Sequence, residues 1–116
     1  MDSYTAKQLL HKATSLGLEI RKATDGFPHS NTILRFLRMR SAELSATIVL
    51  GTCRSPAAYV EMLRTAFEKA HDTEFMLFYS LYLQYLPCGR VCSFIGDVHD
   101  VKSLIVWTIE TLRVEL

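Results

Sequence analysis

The sequence is poor in residues that interrupt or cross-link a chain. Its 116 residues include five glycines, three prolines and three cysteines, while 49% are hydrophobic. This composition excludes a disordered or linker-rich protein, and an odd number of cysteines gives no disulfide framework. A chain of this length can bury one hydrophobic core without a metal or disulfide staple. We therefore predict a single domain over residues 1–116, with reduced thiols.

The net charge is small, and the sequence has no long apolar run. The formal net charge is +1, so nucleic-acid binding would have to come from a local basic patch. The longest nearly continuous apolar run, residues 75–86, is interrupted by Ser80 and Gln84 and falls short of the ~20 residues that span a membrane. The first residues lack the charged and apolar regions of a secretory signal. These absences predict a cytoplasmic protein with no membrane segment.

Apolar and small residues recur every three or four positions, which is the spacing of an amphipathic helix. The first such segment covers residues 4–24 and stops before Gly26 and Pro28. The second starts at Ser30 or Asn31, either of which can accept hydrogen bonds from free backbone N–H groups, and continues to the next glycine. Two amphipathic helices therefore occupy the first half of the chain.

Proline marks both ends of the third helical segment. Ser55 can cap a helix whose first residue is Pro56, and Pro87 should end that helix at Leu86. A fourth apolar stripe begins between residues 90 and 93 and continues toward the end of the chain. Four helices joined by short links predict an all-α, antiparallel, up-down-up-down four-helix bundle.

The second half of helix three is apolar in every direction. A bundle helix needs only one apolar face, so another subunit should cover the remainder, although a deeply buried central helix is the alternative. Tyrosine suits an interface because its ring packs while its hydroxyl reaches water. We predict a homo-oligomer whose interface contains Phe75, Phe78, Tyr79, Tyr82, Leu83 and Tyr85.

Helices two and three share a pattern of arginines, small residues and a final acidic pair. Its positions are Arg38, Ser41, Ile48, Gly51, Arg54, Ser55, Met62, Leu63, Ala66, Asp72 and Glu74. In this pattern the chain resembles the four-helix-bundle proteins encoded in intervening sequences of large-subunit ribosomal RNA genes. Their relatives include the accessory variability determinant of diversity-generating retroelements. The resemblance implies a closed ring of five bundles and a non-enzymatic adaptor that binds RNA, a reverse transcriptase or both.

A ring would repeat the basic residues of helix two around one axis, so that weak phosphate contacts would reinforce each other. We predict that Arg35, Arg38, Arg40 and Arg54 contact RNA. The alternative is that these arginines lie on a solvated face and pair with acidic residues, namely Glu43, Glu61, Asp72 or Glu74.

A competing, enzymatic hypothesis rests on Arg64 and His71. Their spacing matches the Arg-x6-His pattern of HEPN ribonucleases, in which histidine handles a proton of the ribose 2′-hydroxyl and arginine steadies the phosphate charge. This ribonuclease remains an alternative to the adaptor. A purely protein-binding oligomeric scaffold is a further alternative.

The sequence contains no nucleotide-binding loop, metal-ligand set or hydrolytic triad, so we expect no cofactor and no metal. Cys88 and Cys92 lack a second ligand pair for zinc and are interpreted as ordinary buried thiols. Asp97, His99 and Asp100 are interpreted as a polar surface.

The single tryptophan, Trp107, lies on a mostly apolar helix. It could be an exposed platform for stacking a base. We interpret it instead as a core or interface residue, and we extend the same interpretation to Tyr4 and Tyr59.

Overall fold

Four α-helices make up the bundle in a computed structural model that describes residues 3–115. They are α1 (Ser3–Thr24), α2 (Thr32–Gly51), α3 (Pro56–Tyr82) and α4 (Cys88–Glu115). Each helix packs on its neighbour in the sequence, and α4 also packs on α1, which closes the bundle. The predicted all-α, up-down-up-down four-helix bundle is confirmed.

Side-chain caps fix the starts of α2 and α3 where the sequence predicted them. The Asn31 side chain accepts a hydrogen bond from the Leu34 N–H at 3.2 Å, and the Ser55 hydroxyl accepts one from the Ala58 N–H at 3.4 Å. Pro56 occupies the first turn of α3, where its missing N–H leaves no bond unmade. These polar groups satisfy backbone donors that the helix itself leaves unpaired.

The end of α3 differs from the prediction. The helix stops at Tyr82 and not at Leu86, because Gln84 has a φ of 61° in the left-handed region. The Tyr85 N–H donates to the Ser80 carbonyl at 2.9 Å, which closes the turn in the manner of a Schellman motif. Helix α3 therefore ends before Pro87 can interrupt it.

The turn between α3 and α4 is anchored to the rest of the bundle. The Tyr85 ring packs edge-on against Phe27, with ring centroids 6.5 Å apart, and Leu86 is buried. Helix α4 begins at Cys88, earlier than predicted, because the Val91 N–H donates to the Pro87 carbonyl at 3.0 Å. Pro87 thus precedes the first turn of α4.

The core is a continuous set of inward-facing aliphatic side chains from all four helices. Its fully buried members include Leu9, Leu16, Ile20, Leu34, Leu37, Leu44, Ile48, Leu63, Leu77, Ile105 and Leu112. No helix in the described residues has the length and apolarity required to span a bilayer.

Gly51, the last residue of α2, lies directly against Tyr59 of α3. A Cβ atom on this residue would lie 2.6 Å from Cδ1 of Tyr59, which is too close for unstrained packing. Tyr59 is buried beside it, and its hydroxyl has no hydrogen-bond partner among the described residues. The neighbouring ring thus explains why glycine occupies this position.

Candidate oligomer interface and arginine sites

Four aromatic side chains form an exposed stripe along the second half of α3. Phe75, Phe78, Tyr79 and Tyr82 are 58%, 52%, 41% and 83% exposed. Their three- and four-residue spacing places them on one side of the helix. The Phe75 and Tyr79 rings lie 6.1 Å apart between centroids. We call these four residues the α3 aromatic stripe.

The inward face of the same helix segment is filled by smaller residues. Thr73, Leu77 and Ser80 point into the bundle and are fully buried, and the hydroxyls of Thr73 and Ser80 donate to backbone carbonyls one turn earlier. The second half of α3 is apolar in every direction because aliphatic and hydroxyl side chains face the core of the bundle and aromatic side chains face solvent.

The six residues predicted for the interface thus divide into two groups. Four form the α3 aromatic stripe. Leu83 and Tyr85 are half-buried in the α3–α4 turn, and Tyr85 packs against the core of its own chain.

The four arginines predicted to contact RNA have four different surroundings. Arg35 is exposed near the start of α2, where its guanidinium lies 5.7 Å from the centre of the Phe36 ring. Arg54 is exposed in the loop after α2. Since an α-helix rises about 1.5 Å per residue, roughly 20 Å of α2 separates Arg38 from Gly51, and Arg54 lies beyond it in the loop. One subunit therefore presents no single cluster of all four.

Arg40 lies in a charge-paired seam between α2 and α3. Its guanidinium is 2.7 Å from the carboxylate of Glu43 and 3.6 Å from that of Asp72. Lys69 of α3 donates to Glu43 at 2.9 Å. This Lys69 bond is the main reason that the pKa of Glu43 is lowered, with Arg40 contributing in the same direction against partial burial. For Arg40, the predicted pairing with acidic residues is what the structure contains.

Arg38 borders a cavity between α1 and α2. The cavity has a volume of about 280 Å³ and is lined by Gly17, Arg21, Asp25, Phe27, His29, Arg38 and Ala42. We call it the α1–α2 cavity. Two guanidinium nitrogens of Arg38, Nε and Nη2, are buried without a hydrogen-bond partner in the part of the chain described.

Sequence reasoning missed Arg21 and His29 as companions of Arg38. Arg21 lies on the last turn of α1 and His29 in the following loop, so only the folding of α1 against α2 brings them together. Gly17 of α1 faces α2 at this contact, and a Cβ there would lie at van der Waals distance, 3.4 Å, from the Ser41 carbonyl oxygen. No local sequence signal reports such a contact.

The Arg64 and His71 pair of the ribonuclease hypothesis lies on the exposed surface of α3. Arg64 is 3.9 Å from the carboxylate of Glu61. His71 accepts a hydrogen bond from Lys102 of α4 at 3.2 Å and lies 3.9 Å from Glu74. The two residues therefore have different neighbours within one subunit.

Glu74 is the centre of a polar cluster that joins α3 to α4. Lys102 donates to one carboxylate oxygen at 2.9 Å, and His99 forms a hydrogen bond with the other. Burial disfavours the charged carboxylate, but the hydrogen bonds from Lys102 and His99 outweigh it, so the pKa of Glu74 is lowered. Asp100 does not join this cluster; its carboxylate pairs with Lys12 of α1 at 3.0 Å.

The three cysteines are exposed, which corrects the interpretation of Cys88 and Cys92 as buried thiols. The sulfur atoms of Cys88 and Cys92 lie 3.8 Å apart at the start of α4. Cys53 lies in the loop after α2. The contact with Cys88 raises the pKa of the Cys92 thiol. Among residues 3–115, no group of three or more histidine, cysteine or acidic residues has a geometry that could hold a metal.

Tyr59 and Trp107, both predicted to be core or interface residues, differ in burial. Tyr59 is buried in the core as predicted, whereas Trp107 is 61% exposed and cannot be a core residue. Trp107 and Val106 border a surface cavity of about 340 Å³ beside Phe67. A role in an interface stays a prediction for Trp107.

No protein-family model and no curated protein matches this sequence. The fold is similar to that of a protein of unknown function from the S23 ribosomal protein family of Bacteroides thetaiotaomicron, whose structure was determined by crystallography. The TM-score is 0.85, the alignment covers 91% of this chain and 98% of that chain, and the sequences are 15% identical. At this identity the comparison supports the shared fold alone and gives no support to a relation with retroelement accessory proteins.

Proposed function

We propose that this chain is a non-enzymatic adaptor that assembles into a homo-oligomer and binds RNA. The observation that carries the proposal is the α3 aromatic stripe, Phe75, Phe78, Tyr79 and Tyr82, which faces outward from an otherwise complete bundle. Apolar stripes of this kind mark surfaces that another protein covers. A helix stripe at three- and four-residue spacing fits against another helix by the packing used inside bundles.

The area of the stripe favours a larger interface built around it. Taking ~200 Å² for each aromatic side chain, the exposed fractions leave roughly 500 Å² of apolar surface. A standard protein interface buries about 800 Å² on each partner. The stripe would therefore form the apolar centre of an interface, with neighbouring polar residues as its rim.

A second exposed apolar patch favours a ring over a two-fold dimer. Closed rings of more than two subunits use two different surfaces that complement each other, whereas a two-fold dimer uses one surface twice. Val106 and Trp107 on α4 provide such a second patch, separate in sequence from the stripe on α3. We propose a pentameric ring, in agreement with the resemblance found in the sequence.

Unpaired basic residues support the RNA-binding part of the proposal. Arg35 and Arg54 are exposed and form no ion pair within the described residues, in contrast to Arg40. A ring would repeat them on every subunit, and phosphate contacts of modest strength would add through effective concentration. A reverse transcriptase is the protein partner that the sequence resemblance suggests.

Light scattering coupled to size-exclusion chromatography tests the proposal directly. We expect a mass near five times the subunit mass of 13.2 kDa and a further increase when a structured RNA is added at ~100 mM salt. Tyr82→Glu should lower the mass by placing a charge in the interface. Leu18→Glu is the matched control, since Leu18 is also an exposed apolar residue but lies on α1.

Three results would contradict the proposal in different ways. A wild-type protein that is monomeric in solution would contradict the proposed oligomerisation. An oligomer whose mass does not change when RNA is added would favour the purely protein-binding scaffold. A dimer that cleaves RNA, and loses cleavage in His71→Ala, would favour the ribonuclease.

A further inference from the structure

The α1–α2 cavity combines basic side chains with little acidic compensation. Two arginines, Arg21 and Arg38, border it together with one carboxylate, Asp25. Neither arginine forms an ion pair within residues 3–115, and Asp25 is not within ion-pairing distance of either. The formal charges of Arg21, Arg38 and Asp25 sum to +1.

Arg38 shows the strongest sign of a missing ligand. Its Nε and Nη2 atoms are buried and make no hydrogen bond. These two atoms share one edge of the planar guanidinium, which is an edge that grips two oxygens of a phosphate or carboxylate. Buried charged donors without acceptors are unfavourable, so an oxyanion at this position would satisfy donors that the chain leaves unused.

Charge and size indicate a phosphodiester. The cavity volume of about 280 Å³ lies just below the range of pockets that enclose drug-sized molecules, so it accommodates one phosphate group with part of an attached sugar. A single excess positive charge matches the single negative charge of a phosphodiester better than the double charge of free phosphate. Asp25 would in addition repel a second negative charge.

We infer that the α1–α2 cavity binds one backbone phosphate of an RNA strand, with Arg38 as its main ligand and Arg21 as the second. This inference rests on the RNA-binding function proposed above and assigns one of its contacts to a defined place. The cavity lies at the end of the bundle where α1 finishes, and Arg35 lies one helical turn before Arg38 on α2. A strand that enters the cavity can therefore pass along the start of α2.

The test uses fluorescence anisotropy of a labelled single-stranded RNA at ~100 mM salt. Arg38→Met and Arg21→Met keep an apolar side chain but remove the guanidinium. We expect each to weaken RNA binding about tenfold, because each removes a charge-assisted contact with phosphate. Arg113→Met is the matched control, since Arg113 is exposed on the last turn of α4, at the other end of the bundle. It should change the affinity less than about twofold.

A thermal-unfolding experiment separates ligand binding from a purely structural role. In phosphate-free buffer, Arg38→Met should melt at the same temperature as the wild type or higher, because it removes buried unpaired donors. If Arg38→Met loses its helical circular dichroism signal, Arg38→Lys replaces it; lysine keeps the charge but lacks the fork, and should still bind RNA more weakly.

The experiment distinguishes an incorrect phosphate site in the α1–α2 cavity from an incorrect RNA-binding function. If the wild type and all three methionine variants bind RNA equally, the cavity is not the phosphate site and the RNA function stands. If the wild type does not bind RNA, the function and the RNA ligand are both overturned. Stabilisation of the wild type, but not of Arg38→Met, by inorganic phosphate would then identify a free-anion site.

Discussion

Lys102 of α4 donates a 2.9 Å hydrogen bond to Glu74 of α3, and both side chains are largely withdrawn from water. His99 bonds to the second oxygen of the same carboxylate. The charged carboxylate is thus held at the α3–α4 seam by donors from the opposite helix. Its lowered pKa means that the folded protein favours the ionised form more than the unfolded chain does.

Glu74→Gln should reduce the free energy of unfolding by about 1–3 kcal/mol near neutral pH, because it leaves the largely buried Lys102 ammonium without a charged acceptor. The stabilisation by Glu74 is fully present above the ordinary carboxyl pKa of 4.5 and is lost as the pH falls through the lower value of the folded protein. Urea unfolding should therefore show a difference between variant and wild type that shrinks in acid. Glu68→Gln, at an exposed position of α3, is the control and should change stability little at either pH.

Gly51→Ala should destabilise the bundle by about 1–3 kcal/mol, because the new methyl group would overlap the Tyr59 ring and force the packing to shift. Chemical denaturation measures the loss. Gly96→Ala, on α4, is the matched control: a Cβ there meets nothing within 4 Å, so alanine should stabilise that helix by up to about 1 kcal/mol. Equal effects at the two sites would mean that Tyr59 does not limit the approach of α2.

Gln84→Gly should raise the free energy of unfolding by up to about 1 kcal/mol, since glycine adopts the left-handed conformation without the steric cost of a side chain. A rise in the thermal midpoint without a change in helical signal would confirm it. As a comparison, Glu68→Gly at an exposed position in the middle of α3 should lower stability by a similar amount. Loss of stability in Gln84→Gly would show that the Gln84 side chain contributes more than its backbone strain costs.

Charge reversal at the two exposed arginines tests the RNA-binding surface outside the cavity. Arg35→Glu combined with Arg54→Glu should weaken RNA binding at low salt and flatten the dependence of log affinity on log salt, because fewer phosphates are neutralised. Arg40→Glu probes the seam instead and should mainly reduce stability, since it breaks contacts with Glu43 and Asp72. An unchanged salt slope in the double variant would remove Arg35 and Arg54 from the site.

Local chemistry explains which features the sequence predicted correctly. The caps at Asn31 and Ser55 act within one turn of the helix they start, so a few neighbouring residues decide them. The end of α3 was misplaced because Pro87 is a strong stop signal, whereas Gln84 is a non-glycine residue in a conformation that sequence rarely reveals.

Contacts between helices explain what the sequence could not predict. Arg38 was singled out as a candidate, but its cavity depends on Arg21 and His29, which reach it only when α1 folds against α2. The exposure of Trp107, Cys88 and Cys92 likewise depends on which side of α4 faces α1 and α3. Periodicity identified α4 as a helix, yet its broad apolar stripe left the inward direction undecided.

The adjacency of α1 and α4 makes the closure of the bundle depend on contacts between residues far apart in the sequence. Helices α2 and α3 are joined by a short loop and share the most extensive seam, so they can meet early at small entropic cost. The α1–α4 seam joins the two ends of the chain, for which Lys12 and Asp100 provide one link. Its contacts join residues far apart in the sequence, so we expect its formation to be a slow, non-local step that closes a row of four helices into the bundle.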